Sequence, residues 1–404
     1  MNNSMPLPEK VRFIFDRARS YGHRADIVGG CTRDYLLGTA PSDYDITTDA
    51  TPDEIKVMFS DVRILETGIR HGTLTLLLDG EPYEVTTYRL DGEYKDNRHP
   101  ESVSFTRLIA LDLERRDFTM NAICYNDRDG FTDLFCGLSD IENRIIRAVG
   151  DPRVRFSEDA LRIMRAIRFS SVLGFSIEPA TADAAREKRE LLCNVSVERI
   201  AVEWTKLVGG RFAFDVIKEY SDILSAVIPE LCGVIPPSGF QLESDAYLRE
   251  LSLFYVKGYD GPSAVYGAVA DRLRYDNKRK KFGMSVLENA NYRDTDTDIG
   301  LKRLLMNIGY EYALGTLRLQ RMIGVCSESA ILRLKELSER AVYTLSSLAV
   351  NGSDLIAIGI SGKSIGRLLS DLLLGVVEER YNNDREELLL AVKELNCKRS
   401  KNGI

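Results

Sequence analysis

Cysteine is sparse and unpaired in this chain. Seven residues in 404, at positions 31, 124, 136, 193, 232, 326 and 397, include no Cys-x-x-Cys pair. An odd, scattered set is neither a disulfide framework nor a zinc pattern, and it reads as free thiols in a reducing compartment. Histidine is scarcer still: His23, His71 and His99 all fall in the first quarter, which excludes a histidine-rich metal site further along. No apolar run approaches the roughly 18–20 residues that a membrane helix needs. Residues 74–78 have the size of a core strand. Met1–Lys10 lacks the apolar segment of a signal peptide, so the expected location is cytoplasmic, with no membrane partner.

What is present has the balance of an ordinary globular protein, with 44% apolar and 28% charged residues. The length suggests two to four domains. A net charge of −7 argues against a nucleic-acid partner only weakly, because recognition depends on local patches.

The first ~145 residues have a mixed α/β texture. Pro8–Tyr21 has helical spacing, Asp26–Val28 reads as a strand running into Gly29-Gly30, Asp43–Thr47 as a strand, and Pro52–Phe59 as a helix. Thr73–Leu78 and Tyr83–Thr87 form an expected hairpin across Asp79-Gly80-Glu81-Pro82. The polar stretch Arg89–Ser104 reads as a long mobile loop. After Gly150-Asp151-Pro152 helical spacing takes over, beginning with one helix from Phe156 to about Leu173 capped by Ser157. Connections are expected at Ile235–Gly239 and Gly258–Pro262, and the last helices are separated at Ser361-Gly362 and Asn382-Asn383.

Several short motifs could carry chemistry. Gly29-Gly30-Cys31-Thr32-Arg33-Asp34 places two glycines at a strand-to-helix junction. Backbone N–H groups there can approach an anion, and Arg33 one turn later can neutralise a phosphate. Asp43 and Asp45 are two apart on an expected strand and so share a face. Like charges side by side ask for a cation, and oxygen ligands suit magnesium; an isolated Asp-x-Asp is more often two solvated carboxylates. Glu84 on a neighbouring expected strand could complete a cluster or could equally be an exposed glutamate. Arg115-Arg116, before Asp117-Phe118-Thr119-Met120-Asn121-Ala122, offers phosphate-binding forks or a plain surface charge pair.

Asp159, Arg162, Arg165 and Arg168 recur every three residues, while Leu161, Ile163, Met164 and Ile167 take the other side. The bland reading is a salt-bridged solvent face. The sharper one is a base reader. A carboxylate accepts from an exocyclic amino group while a guanidinium donates to the ring acceptor beside it. Cytosine and adenine have that amino group, whereas uracil and guanine show a carbonyl there.

Taken in order, Gly-Gly-x-x-Arg-Asp, Asp-x-Asp, Glu84-Val85-Thr86-Thr87-Tyr88-Arg89, Arg-Arg-Asp-Phe-Thr-x-Asn-Ala and Glu158-Asp159-x-x-Arg162-x-x-Arg165 resemble the class II tRNA nucleotidyltransferases. These are the bacterial-type CCA-adding enzymes and their poly(A) polymerase relatives. The motif-bearing part covers about residues 25–175. Weaker matches follow at Val350–Leu355, Gly362–Gly366 and 383–388. The resemblance implies an α/β head of the polymerase-beta-type nucleotidyltransferase fold followed by an all-α neck, body and tail. The corresponding boundaries are 1–145, 146–210, 211–340 and 341–404. It implies magnesium on Asp43 and Asp45, the triphosphate on Gly30 and Arg33, and nucleotide contact from Arg116. It also implies reading of the incoming base by Asp159 and Arg162, helped by Arg165 and Arg168.

The activity so implied is template-independent addition of C, C and then A to the 3′ end of tRNA. CTP and ATP are the substrates, pyrophosphate is released by two-metal nucleotidyl transfer, and no protein partner is required. The Arg89–Ser104 stretch resembles the flexible loop that relatives adding only CC lack, which favours terminal A addition. Within the same family an A-adding enzyme or a poly(A) polymerase remains open, and outside it an inert RNA-binding protein. Arg272, Arg274, Lys278, Arg279, Lys280 and Lys281, opposed within the run only by Asp276, could track an RNA backbone or form a solvated surface.

Overall fold

The computed structural model describes residues 4–41, 43–92 and 103–401. The chain divides into two compact units, Met1–Gly233 and Val234–Ile404.

In the first unit the strands are β1 (Ala25–Val28), β2 (Ile46–Thr48), β3 (Arg63–Leu65), β4 (Thr73–Leu78), β5 (Glu81–Thr87), β6 (Arg89–Asp91), β7 (Val103–Phe105), β8 (Ile123–Asn126) and β9 (Gly130–Asp133), followed by the short pair β10 (Ile145–Ile146) and β11 (Ser176–Ile177). Seven of them make one sheet in the order β3-β4-β5-β2-β1-β8-β9. Within it β2 and β5 run parallel, with Ile46 opposite Val85, and the other neighbours are antiparallel. The helices of its front half are α1 (Glu9–Ser20), α2 (Gly30–Leu36) and α3 (Pro52–Met58). Val11, Ile14, Phe15 and Ala18 of α1 bury against Ile27, Ile46, Leu74, Leu76 and Val85 of the sheet. Helix α3 starts at a reciprocal cap between Thr51 and Glu54, with Pro52 in its first turn.

The hairpin between β4 and β5 is tighter than the sequence suggests. Asp79 and Gly80, at φ 51° and 85°, make the turn alone. Pro82 already stands in β5 opposite Leu77. It is tolerated because β2 pairs only with Val85–Thr87, leaving the start of β5 at a free edge. Strands β6 and β7 form a separate antiparallel ribbon, Arg89 opposite Phe105. The ribbon accounts for the two ends of the expected loop; its centre, residues 93–102, lies outside the described residues.

The second half of this unit holds α4 (Ile109–Glu114), α5 (Gly137–Glu142), α6 (Pro152–Glu158), α7 (Leu161–Leu173), α8 (Pro179–Lys188), α9 (Val197–Gly209), α10 (Ala213–Glu219) and α11 (Ser221–Leu224). Two expectations fail here. The single helix from Phe156 is two helices, broken where Asp159 adopts an extended backbone (φ −133°, ψ 101°). Ser157 does not cap it: Asp151 does, accepting from the N–H of Arg153, and Ser157 donates back to the Arg153 carbonyl in mid-helix. The strand expected over Asp43–Thr47 also begins later, at Ile46. Asp43 and Asp45 sit in its lead-in, tied by the N–H of Val28 donating to the Asp45 carbonyl at 3.0 Å.

The second unit is helical throughout its described residues: α12 (Ala246–Val256), α13 (Pro262–Arg272), α14 (Asn277–Asn289), α15 (Asp298–Ile308), α16 (Tyr310–Met322), α17 (Glu328–Arg340), α18 (Gly352–Ala357), α19 (Ser364–Val377) and α20 (Arg385–Lys401). Leu301, Leu304, Leu317, Ile331 and Leu334 centre one of its cores, and Leu355, Leu368, Leu372, Val377 and Leu388 another. The basic run at the start of α14 is more neutralised than its sequence shows. Arg279 pairs with buried Glu250 at 2.6 Å, Lys280 with Asp271 at 2.6 Å and Lys278 with Glu311 at 3.8 Å.

Candidate active site

Gly29 links β1 to α2 at φ 86° and ψ −126°, a backbone open essentially to glycine alone. A Cβ there would stand 3.4 Å from Arg116 Nη1 and 3.9 Å from Asp45 Oδ2. The turn therefore lies directly under an arginine and a carboxylate from two other segments. Gly30 is the first residue of α2, where a Cβ would meet Arg33 Nη2 at an ordinary 3.7 Å. Of the two glycines, Gly29 is the one the backbone demands.

Desolvation pushes the Asp45 carboxyl above the usual carboxylate range, and the neighbouring Asp43 adds to this. Arg116 opposes the rise and Glu84 reinforces it. Three acids thus feel one another beside one arginine, as a cation site requires. Among the described residues no three ligand-type side chains close on a single point; Glu84, exposed on β5, acts on Asp45 through its charge. A two-carboxylate donor set fits a hard divalent ion that keeps its waters and takes the rest of its shell from phosphate.

The arginines are held by partners the sequence did not reveal. Arg33 donates from Nε and Nη2 to Asp34 Oδ1 (2.9 and 2.7 Å) and from Nη1 to Asn121 Oδ1 (2.8 Å). Arg115 and Arg116 both grip Asp112, which is fully buried. Burial works against that carboxylate, yet the two guanidiniums hold it below its ordinary range. Arg116 Nε is buried with no hydrogen-bond partner.

The arginines of the expected ridge on α7 are tied to protein partners. Arg162 is only 7% exposed. It donates to the Arg155 carbonyl (3.1 Å), Glu158 (2.8 Å) and the Arg115 carbonyl (2.8 Å), which leaves two of its five N–H groups unspent. Arg165 donates twice to Asp117 Oδ2, at 2.8 and 2.6 Å. Burial disfavours charge on Asp117, but Arg165 and the Asn121 amide prevail and draw its carboxyl down to about 2. Arg168 donates to Glu203 at 2.8 Å and lies 3.5 Å over the Phe169 ring, which also receives Arg33 (5.0 Å) and Arg165 (5.4 Å). Asp159 accepts from Leu161 N–H (3.1 Å) and from Arg199 Nη2 (3.1 Å).

Two continuous paths therefore join the glycine turn to α7. One runs Arg33–Asn121–Asp117–Arg165, the other Arg116–Asp112–Arg115–Arg162. Residues flagged from sequence are brought together in two clusters, Asp45 and Arg116 beside Gly29 with Asp43 acting on Asp45, and Arg33 with Arg165 and Arg168 around Phe169, while Arg162 and Asp159 pair elsewhere, with Glu158 and with Arg199. Sequence reasoning gave no role to Asp112, Asp117, Asn121, Phe169, Arg199 or Glu203. Asp117 and Asn121 lay inside a quoted motif. Arg199 and Glu203, four apart on an amphipathic helix, carried a weaker signal.

Residues 25–147 match the family described as the Poly A polymerase head domain, and 174–232 the family described as the probable RNA and SrmB-binding site of polymerase A. A CCA-adding enzyme of Pediococcus pentosaceus is 35% identical, over 96% of this chain and 98% of its own length. One from Ligilactobacillus salivarius is 34% identical, over 96% of each.

The chain belongs to the bacterial-type CCA-adding enzymes.

It is thereby a tRNA nucleotidyltransferase, and the expected α/β head followed by helices is the arrangement found. The Bacillus stearothermophilus CCA-adding enzyme, solved in complex with CTP, superposes with a TM-score of 0.84 at 30% identity, over 98% of this chain and all of that one. The fold is shared also with the Thermotoga maritima enzyme complexed with tRNA_CCA, at TM-score 0.68 and 20% identity, over 96% of each. Nucleotidyltransferases of this family use divalent metal ions, which agrees with the acid pair beside Gly29.

Proposed function

We propose that this chain adds C, C and A to the 3′ end of tRNA from CTP and ATP, without a nucleic-acid template. The observation that carries the residue roles is the pair of hydrogen-bonded paths between the acid-bearing turn and the arginines of α7. The end that meets phosphate and the end that meets the base are positioned by one network.

In this reading Asp43 and Asp45 would hold magnesium, whose chemistry there would be acidification of the RNA 3′-hydroxyl and neutralisation of charge on pyrophosphate. A bond forms from that oxygen to the α-phosphorus of the nucleotide, the bond to the β-phosphate oxygen breaks, and the hydroxyl proton passes to solvent. Backbone at Gly29-Gly30 approaches the triphosphate, and Arg33 and Arg116 bind it with the N–H groups they have not spent on Asp34, Asn121 and Asp112. Asp159 accepts from the amino group of cytosine or adenine, Arg162 donates from its two free N–H groups to the ring acceptor beside it, and Arg165 and Arg168 hold that wall in place. The domains in this reading are a head to about residue 145, a neck to 210, a body to 340 and a tail beyond, the last two contacting tRNA.

Asp159→Ala tests it. Losing a charge-assisted hydrogen bond, about 1.5–3 kcal/mol, should lower kcat/KM for CTP and ATP roughly 10- to 150-fold. UTP and GTP should gain relative to them, because the carboxylate no longer repels a carbonyl edge. Unchanged ratios among the four nucleotides would remove Asp159 from base reading.

A further inference from the structure

We infer that Arg199 is a positioning residue for nucleotide choice, setting the carboxylate of Asp159; this rests on the base-reading role proposed above. Asp159 stands in the gap between α6 and α7 with an extended backbone, so no helix fixes its side chain. Its Oδ1 is taken by the N–H of Leu161 at 3.1 Å, a contact within its own turn. Its Oδ2 is taken by Arg199 Nη2 at 3.1 Å, across 40 positions from α9. With one donor on each oxygen, the plane of the carboxylate is set, and the remaining lone pairs have a defined direction.

The arginines of α7 do not share this task. Arg162, Arg165 and Arg168 hydrogen-bond to Glu158, Asp117 and Glu203, and Arg199 is the one arginine among the described residues that hydrogen-bonds to Asp159. A second observation points the same way. Arg199 Nη1 is buried and has no hydrogen-bond partner. Buried donors in folded proteins are ordinarily satisfied, so an orphan next to the proposed base reader marks a place where a ligand or its water completes the bonding. Without Arg199, the carboxylate turns about its terminal torsion, which has no steep preference of its own. An acceptor that can turn away no longer separates an amino from a carbonyl edge.

The experiment uses the full chain, a tRNA lacking its 3′-terminal CCA, and each of the four nucleoside triphosphates. It compares wild type, Arg199→Met, Arg199→Lys, Asp159→Ala and the Arg199→Met/Asp159→Ala double variant. Arg199→Met should raise kcat/KM for UTP relative to CTP, and for GTP relative to ATP, by about 3- to 30-fold, which lies within the coupling found between groups in direct contact. Arg199→Lys should recover part of the selectivity. In the Asp159→Ala background, Arg199→Met should change the ratios no further.

A purely structural role predicts a lower melting temperature and a uniformly lower rate with wild-type ratios. Changed ratios in Asp159→Ala beside wild-type ratios in Arg199→Met would overturn this inference and leave the base-reading role standing. A full Arg199→Met effect in the absence of Asp159 would also overturn it, since Arg199 would then act directly. Wild-type ratios in Asp159→Ala would overturn the base-reading role and this inference together.

Discussion

Asp117→Asn is the perturbation whose size the structure specifies best. The Asp117 side chain is 10% exposed and accepts two bonds from Arg165, one from the Asn121 amide and one from the N–H of Phe118. Its carboxyl is drawn down to about 2 in the folded chain, against roughly 3.9 for an unperturbed aspartate. That difference corresponds to about 2–3 kcal/mol of stability. A depressed acid gives its full contribution above the unfolded pKa and loses it as pH falls through the folded one. The contribution is therefore complete above about pH 5 and disappears between roughly pH 4 and 2. Asparagine keeps an acceptor but loses the charge, and leaves Arg165 with Glu203, at 3.9 Å, as its nearest carboxylate. At pH 7 the variant should be less stable by about 2–5 kcal/mol. The single tryptophan of the chain, Trp204, is 1% exposed and lies in the first unit, so its fluorescence during urea unfolding follows that unit alone. The gap between wild type and variant should shrink steadily from pH 5 to 2.5. A gap that stays constant over that range, or none at pH 7, would refute the charge-based reasoning.

Asp43→Ala and Asp45→Ala should each abolish both C and A addition while tRNA binding stays near wild type, read by primer extension and a filter-binding titration at saturating magnesium; appreciable extension by either variant would remove the acid pair from catalysis. Asp45→Asn should also raise the melting temperature in chelator, because it removes a desolvated charge crowded by Asp43, and should abolish any rise on adding magnesium; a magnesium-dependent rise equal to that of wild type would count against Asp45 as a ligand. Gly29→Ala should cost about 1–3 kcal/mol from backbone strain alone and should raise the KM for both nucleotides, because relief of that strain moves the turn lying against Arg116 and Asp45; a variant with wild-type stability and KM would contradict a glycine-only backbone at that turn.

The legible parts of this molecule are those decided by local chemistry. The β4–β5 hairpin shows in the alternation of 73–78 and the Asp79-Gly80 turn, and α1 in its apolar spacing and the glycine that follows. The strand limit at Ile46 was less visible because the lead-in carries a single ladder bond, from Val28, which only pairing with β1 supplies. The break at Asp159 was hidden because the three-residue spacing of charges runs straight through it. The partners of Asp159 at that break are Leu161 N–H and Arg199, the latter 40 positions away. What holds Arg165 and Arg168 of α7 was not legible, because their partners, Asp117 and Glu203, lie 48 and 35 positions off. The basic run of 272–281 read as free charge for the same reason, since Glu250 and Glu311 stand outside it. Motif order carried the family. Which residues hold which was a matter of tertiary pairing.

In the proposed reaction one site on this chain uses CTP twice and then ATP once. This is tested most directly by giving the purified protein a tRNA that ends just before CCA, with CTP alone, ATP alone, and both, and resolving the products at single-nucleotide resolution. CTP alone should add two residues and the pair three, the third being A. Addition of A only to tRNA already ending in CC, with no use of CTP, or growth of an A tract beyond one residue, would contradict it.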